Sequence, residues 1–141
     1  MATPETTSEQ DRTSVLDLLA RFVHCLDQRD FDGYAALFTE DCRLNLPHTT
    51  HRGRAGLAAF VSADLGGYAA THHSTSDHLV RLDGDTAVVR SQMRAVHLRS
   101  EADPTGWWAV GGRYEHVFRR GPDGWLIRTV TVTPVWLDEG P

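Results

Sequence analysis

The stretch TAVVRSQMRAVHLRS, residues 86–100, alternates along its whole length. Successive side chains of a strand point to opposite faces. One face therefore receives Ala87, Val89, Ser91, Met93, Ala95 and His97, and the other Val88, Arg90, Gln92, Arg94, Val96 and Leu98. The first set is small and apolar and reads as the inward face. A strand of this length needs pairing on its edges, and the flanking sequence supplies it. Residues 71–83 run into the turn DGD with Gly84, a hairpin signal. After the loop SEADPTG, residues 107–120 read as another strand, GPDG as a turn and residues 124–136 as a last strand.

Upstream of residue 70 the period changes. Val15, Leu18, Leu19, Phe22, Val23 and Leu26 recur at helical spacing. TSEQ offers Thr7 as N-cap and Gln10 as its capping-box partner. Asp30 can cap a short second helix carrying Phe31, Tyr34, Leu37 and Phe38. CRLNLP reads as a short strand stopped by Pro47, and HTTHRGRAG as a loop. Leu57, Phe60, Val61 and Leu65 make a third helix ended by Gly66 and Gly67. Helices first and antiparallel strands after imply an α+β fold with the helices on one face of the sheet. With 141 residues the chain is one domain, residues 8–137, behind a small polar tail at 1–7 expected to be disordered.

Charge and composition exclude several functions. The net charge of -5 argues against binding a phosphate backbone, so no nucleic-acid partner is expected. No apolar run approaches the roughly 20 residues of a membrane span. The N-terminus MATPETTSEQDR lacks the basic and apolar regions of a signal peptide, so a cytoplasmic location is expected. Cys25 and Cys42 have no metal-binding spacing and read as reduced thiols. His48 and His51 sit in a loop that no carboxylate or cysteine completes, so no metal is expected. All 14 basic residues are arginine, which removes lysine Schiff-base chemistry. Neither GxGxxG nor GxSxG occurs, and no cofactor is implied.

Several acid–base groups converge on the inward side. His97 belongs to the inward face of its strand and needs a partner for a ring nitrogen. Asp27, at the end of the apolar side of the first helix, is the natural candidate and would orient and charge it. Of the adjacent His72 and His73 one must point in. GGRYEHVFRR puts Tyr114, His116 and Phe118 on one face. Taken singly, His97 also fits a satisfied core residue and Asp27 a solvated helix end. Together they have the shape of a small-molecule site.

The pieces LDQRDFDGYAALFTED, THHSTSD, LDGDTAVVRSQ, GGRYEHVFRR, DGWLIR and VW at 135–136 resemble the SnoaL-like family of the nuclear transport factor 2-like superfamily. The resemblance implies a cone: a curved antiparallel or mixed sheet with about three N-terminal helices packed on its concave face. It also implies a site. In the fungal scytalone dehydratases of that superfamily an acidic residue ends the first helix, one histidine precedes the first hairpin and another lies on the long strand. Asp27, His73 and His97 fall at those places. The tyrosines of that pattern are replaced by Leu26 and about Leu46, and its later serine and asparagine by about Gly112 and Tyr114. A reaction type is thus implied rather than the same reaction.

The expectation is a cofactor-independent dehydratase, isomerase or cyclase for a small apolar carbonyl or polyketide-like substrate. Asp27, His73 and His97 are its catalytic candidates, and Tyr34, Leu46, Met93, Tyr114 and His116 line the substrate site. A binding or assembly module of the same fold is the alternative. An epoxide-type hydrolase ranks below it, because Arg90 and Arg94 face outward. Val88, Val96 and Leu98 on the outer face suggest a homodimer through that face.

Overall fold

The computed structural model describes residues 3–141, with the side chains of residues 5 and 6 left aside. Three helices and six strands follow in the order α1 (Pro4–Asp27), α2 (Phe31–Ala35), β1 (Phe38–Asn45), β2 (Thr50–Arg52), α3 (Leu57–Leu65), β3 (Ala70–Asp83), β4 (Thr86–Ser100), β5 (Asp103–Gly121) and β6 (Gly124–Asp138). The strands form one sheet in the order β2-β1-β6-β5-β4-β3. Only β1 and β6 run parallel, because the long α3–β5 excursion lies between them in sequence; the other pairs are antiparallel. The sheet is therefore mixed, and the helices precede the long strands, as the α+β reading required.

The inward face of β4 matches the alternation: Ala87, Val89, Ser91, Met93, Ala95 and His97 are all buried. Tyr114, His116 and Phe118 of β5 are buried beside them. The core forms where α1 crosses this face. Phe22 makes edge and tilted contacts with Tyr34, Phe38, Tyr114 and His116, with ring centroids 4.7–6.3 Å apart. Truncating so enclosed an aromatic ring removes about 3–5 kcal/mol. At the far end Asp11 of α1 accepts two hydrogen bonds from Arg120, at 2.8 and 2.7 Å, and one from the Trp125 indole at 3.2 Å. That fork fixes the direction in which α1 lies across the sheet.

Several boundaries differ from the sequence reading. Residues 4–7, expected in a disordered tail, are the first turn of α1. Proline suits this position because its missing N–H has no helical partner to lose. Thr7 is not the N-cap: its N–H and hydroxyl both bond to the Thr3 carbonyl, at 2.9 and 3.0 Å. Residues 1–2 of the expected tail lie outside the described residues. Asp30 does cap α2, accepting from Gly33 N–H at 2.9 Å. Leu37 and Phe38 leave that helix, since Ile127 N–H of β6 claims the Leu37 carbonyl and draws Phe38 into β1. The loop after Pro47 contains the short strand β2.

Candidate active site

The end of α1 sets the position of Asp27. Arg29 N–H bonds to the Leu26 carbonyl at 3.1 Å and Asp30 N–H to the Cys25 carbonyl at 2.9 Å. This is a Schellman closure with Arg29 in the left-handed conformation, φ 61°, where glycine is usual. The Arg29 guanidinium donates to the Gly66 carbonyl at 2.6 Å and ties this turn to the end of α3. Asp27 is thereby the last helical residue. A carboxylate there faces the negative end of the helix dipole, so its place must be held by other donors.

Strand β3 supplies them. Asp27 Oδ1 accepts from Thr71 Oγ1 at 3.0 Å and lies 2.7 Å from His73 Nδ1. Asp27 Oδ2 accepts from the His73 backbone N–H at 2.9 Å. One residue thus holds both carboxylate oxygens, with its ring and with its main chain. The two side chains are 6% exposed for His73 and 24% for Asp27. Burial pushes the Asp27 carboxyl up, but the His73 ring, the His73 N–H and the Thr71 hydroxyl outweigh it and hold the group below its ordinary value. An ionised carboxylate only accepts, so Nδ1 of His73 carries the proton. Nε2 of the neutral ring is then the free basic nitrogen, and His73 lines the cavity.

Here the sequence reading is corrected. Asp27 was expected to orient and charge His97; its partner is His73. The register explains it: Thr71 lies opposite His97 and His73 opposite Ala95, so both histidines are on the inward face but the helix end lands on β3. His97 instead stacks flat on Trp108, with centroids 3.8 Å apart and planes within 3°. Its Nδ1 has no partner among the described residues. Burial, with repulsion from His73 whenever that ring is protonated, pushes its pKa down to about 4, so His97 is neutral rather than charged at pH 7. The His73 and His97 rings lie 6.2 Å apart, edge to face.

The pair opens into a cavity of about 700 Å³ with predominantly apolar walls. Tyr34, Leu46, Met93 and Tyr114 line it, as do His73 and His97. Tyr34 and Tyr114 are buried, and neither hydroxyl has a protein partner among the described residues. Burial pushes both phenols up, so each is an O–H donor over the working pH range. His116 is not part of the cavity. It is wholly buried beneath it, with both ring nitrogens unpartnered and its pKa pushed down to about 3 by burial. The parity that put His116 inward was right, but depth along the strand separates floor from pocket. His72 is exposed. A bulge between Ser76 and Leu79, with Asp77 at φ 54°, reverses the parity of β3, so His78 faces inward and bonds Thr75 Oγ1 at 2.9 Å.

Sequence reasoning missed the mouth of the cavity. Asp64 on α3 and the run Pro134–Leu137 of β6 stand there. The signal for Asp64 was present: it immediately precedes Leu65, at the edge of the apolar face of α3. Val135, Trp136 and Leu137 are exposed apolar residues on a stretch of β6 that pairs with β5 alone. No arginine lines the cavity. Among the described residues no three His, Cys, Asp or Glu side chains are grouped to hold a metal. None of the described helices is long and apolar enough to cross a membrane.

Comparison with known proteins agrees with this architecture. Residues 8–131 match the family model of the SnoaL-like domain. An uncharacterized protein of Mycobacterium tuberculosis is 30% identical over 128 residues, covering 83% of this chain and 80% of its own. A Novosphingobium aromaticivorans protein provisionally named a scytalone dehydratase superposes with a TM-score of 0.84, at 19% identity over 94% of this chain and 89% of its own. A nuclear transport factor 2-like superfamily protein from Salmonella enterica gives a TM-score of 0.82, at 18% identity over 92% and 94%. The two structural likenesses show the nuclear transport factor 2-like fold.

Proposed function

Since the chain belongs to the SnoaL-like family, whose members include dehydratases, isomerases and cyclases, we propose that it is a cofactor-independent acid–base enzyme. The observation that carries the reading is the Asp27–His73 pair at 2.7 Å, with His73 on the wall of an apolar cavity. The substrate class is a small apolar carbonyl or polyketide-like compound, which the aromatic and aliphatic walls would hold.

His73 is the general base. Its Nε2 takes a proton from the carbon next to the substrate carbonyl, and Asp27 stabilises the imidazolium that forms. A buried hydrogen-bond donor at the carbonyl oxygen stabilises the enolate that develops. Tyr114 is that donor, with Tyr34 beside it. His97 is a neutral hydrogen-bonding group whose ring plane is fixed by Trp108. Return of the proton from His73 to another atom completes an isomerisation, and its delivery to a departing hydroxide completes a dehydration. A neutral His97 supports the first step because it adds no second positive charge beside His73. A cytoplasmic location and pairing of two copies through the outer sheet face belong to the same reading. Val88, Val96 and Leu98 support the pairing, to be read by sedimentation.

Proton abstraction is testable before the natural substrate is known. 1-Tetralone and 2-tetralone are incubated with the protein in deuterated buffer, and α-deuterium is read by NMR. The wild type should accelerate exchange, and His73→Gln should lose about 10²–10⁴-fold of that acceleration. Binding of both ketones with no exchange above buffer would instead support a ligand-binding module of the same fold. Exchange unaffected by His73→Gln would sink the mechanism.

A further inference from the structure

Among the described residues Asp64 is the one carboxylate lining the cavity, and none of them pairs with it. It lies in the third turn of α3, one residue from buried Leu65 and three from buried Val61. Both of those residues line the cavity as well, so Asp64 stands at the edge of an apolar wall. Among the described residues it makes no hydrogen bond or ion pair. Partial burial without a partner pushes its carboxyl up, the opposite of what an ion-paired aspartate shows. The residue is exposed to solvent, which places it at the mouth and not at the floor.

Apart from His48, an exposed loop residue, the rest of the wall offers no cation to Asp64. The chain has 14 arginines, and none lines the cavity. Arg29 and Arg99, neither of which lines the cavity, donate to main-chain oxygens. Arg29 donates to Gly66 O at 2.6 Å. Arg99 donates to Trp107 O at 2.9 Å and to Glu139 O at 3.2 Å. His97 is neutral at pH 7, and any charge on His73 is balanced by Asp27. A carboxylate or phosphate entering this space would lose water and find the Tyr34 and Tyr114 hydroxyls but no arginine to offset its charge. It would also meet Asp64. A hydroxyl or other N–H or O–H donor at the outer end of a ligand would satisfy that carboxylate in a charge-assisted hydrogen bond.

We propose that Asp64 is a specificity-determining residue: it selects substrates that present a hydrogen-bond donor at the cavity mouth and rejects those that present a carboxylate or phosphate there. This deepens the proposed function by naming the charge class of the substrate at that same site. It makes the natural substrate a neutral compound, with its reacting carbonyl toward His73 and a hydroxyl-bearing end toward α3. An acid form of the same skeleton would be bound poorly until esterified or otherwise neutralised.

The test uses a matched pair of probes, 2-naphthalenemethanol and 2-naphthoate, on the intact wild-type protein and on Asp64→Asn. Dissociation constants are read by calorimetry at pH 7.5 and low salt. Amide shifts of Met93 and Ala95 report that the probe is in the cavity. The wild type should prefer the alcohol by about tenfold or more. Asp64→Asn should narrow that preference by roughly fivefold, mainly by gaining affinity for the naphthoate, as expected for like charges separated by a few ångströms near a protein surface. Asn keeps the shape of the side chain and an acceptor oxygen, so folding is not at issue. An equal affinity for the two probes, an unchanged ratio in Asp64→Asn, or no shift of the cavity amides with either probe overturns the proposal. None of these results depends on turnover. Deuterium exchange read through His73→Gln therefore stands or falls separately.

Discussion

His73 grips both oxygens of Asp27, its ring Nδ1 2.7 Å from one and its backbone N–H 2.9 Å from the other. The carboxylate cannot rotate without breaking a bond to the same residue, and the imidazole cannot flip without losing its partner. This two-point hold fixes the tautomer and aims Nε2 at the cavity. Asp27→Asn removes the charge while keeping the shape. Its amide must turn an N–H₂ toward one of two donors, the ring or the backbone. Ketone exchange should fall by about 10²–10⁴-fold in this variant, while ligand affinity changes little. A variant with near wild-type exchange would mean that His73 works without its carboxylate.

The same pair ties stability to acid. Asp27 sits below its ordinary value in the fold, so the unfolded chain binds its proton first. The stabilisation is present above the unfolded pKa of about 4 and is lost as pH falls through the lower folded value. Urea titrations at pH 5 and pH 3 should show the wild type losing stability by more than Asp27→Asn does. Parallel losses in the two proteins would show that the three donors do not favour the ionised form.

How much of this was legible in the sequence depends on which geometry each residue needed. The inward face of β4 follows from period-two alternation alone, and all six residues are buried as that pattern demands. The helical stripe Val15–Leu26 likewise places Asp27 at the inner end of α1. Alternation does not give register, however. Whether Asp27 meets β3 or β4 depends on where α1 crosses the sheet, which the Asp11–Arg120 fork and the Phe22 contacts decide from far along the chain. So the sequence brought Asp27, His73 and His97 to one side of the fold but paired the wrong two. The bulge at Asp77 was hidden for the same reason: one extra residue leaves composition untouched and reverses the face of everything beyond it. The mouth was missed because its parts, Asp64 and Trp136, meet only through the fold.

The glycine pair Gly111 and Gly112 makes room at that mouth. A Cβ on Gly111 would strike the Trp136 ring, a side chain able to swing away. A Cβ on Gly112 would strike the Thr133 carbonyl, which the sheet holds in place. Gly111→Ala should therefore leave stability within about 1–2 kcal/mol of wild type while shifting Trp136 and altering ligand affinity. Gly112→Ala should destabilise by more, about 1–3 kcal/mol from overpacking alone. Chemical unfolding and Trp136 fluorescence distinguish the two. The reverse ranking would show that Trp136 is fixed more firmly than the strand behind it.

His116 is a buried polar group that none of the described residues satisfies. Both nitrogens lack partners, and the ring lies between Phe22, edge-on at 4.7 Å, and Phe118, nearly parallel at 5.9 Å. An unpaired polar group in such a place costs about 1–3 kcal/mol. His116→Leu should raise stability at pH 7 by about 1 kcal/mol, with the difference absorbed by strain in repacking. Because His116 lies beneath the cavity and not on it, deuterium exchange should survive. A destabilised His116→Leu would reveal that a water or an unrecognised donor satisfies the imidazole.

His97 and His116 together set how stability responds between neutral and mildly acidic pH. Burial holds their pKa values near about 4 and about 3, whereas in the unfolded chain each titrates near about 6.5. Between those limits the unfolded state binds more protons than the fold, so stability must fall as pH falls from about 6.5 toward 4. Each histidine contributes up to about 1.4 kcal/mol per pH unit in that window, or on the order of 2 kcal/mol between pH 7 and pH 5. His97→Gln and His116→Leu should each flatten the slope by close to one proton, and their combination by close to two, since the rings sit apart on the inward face. The effect has the same sign as that of Asp27 but lies at higher pH, so urea midpoints at pH 7, 6 and 5 separate the two. A wild-type midpoint that is flat from pH 7 to pH 5 would mean that the folded protein admits protons to these rings. His97 would then be a second charged group beside His73, and proton sharing between the two histidines would replace the single-base mechanism.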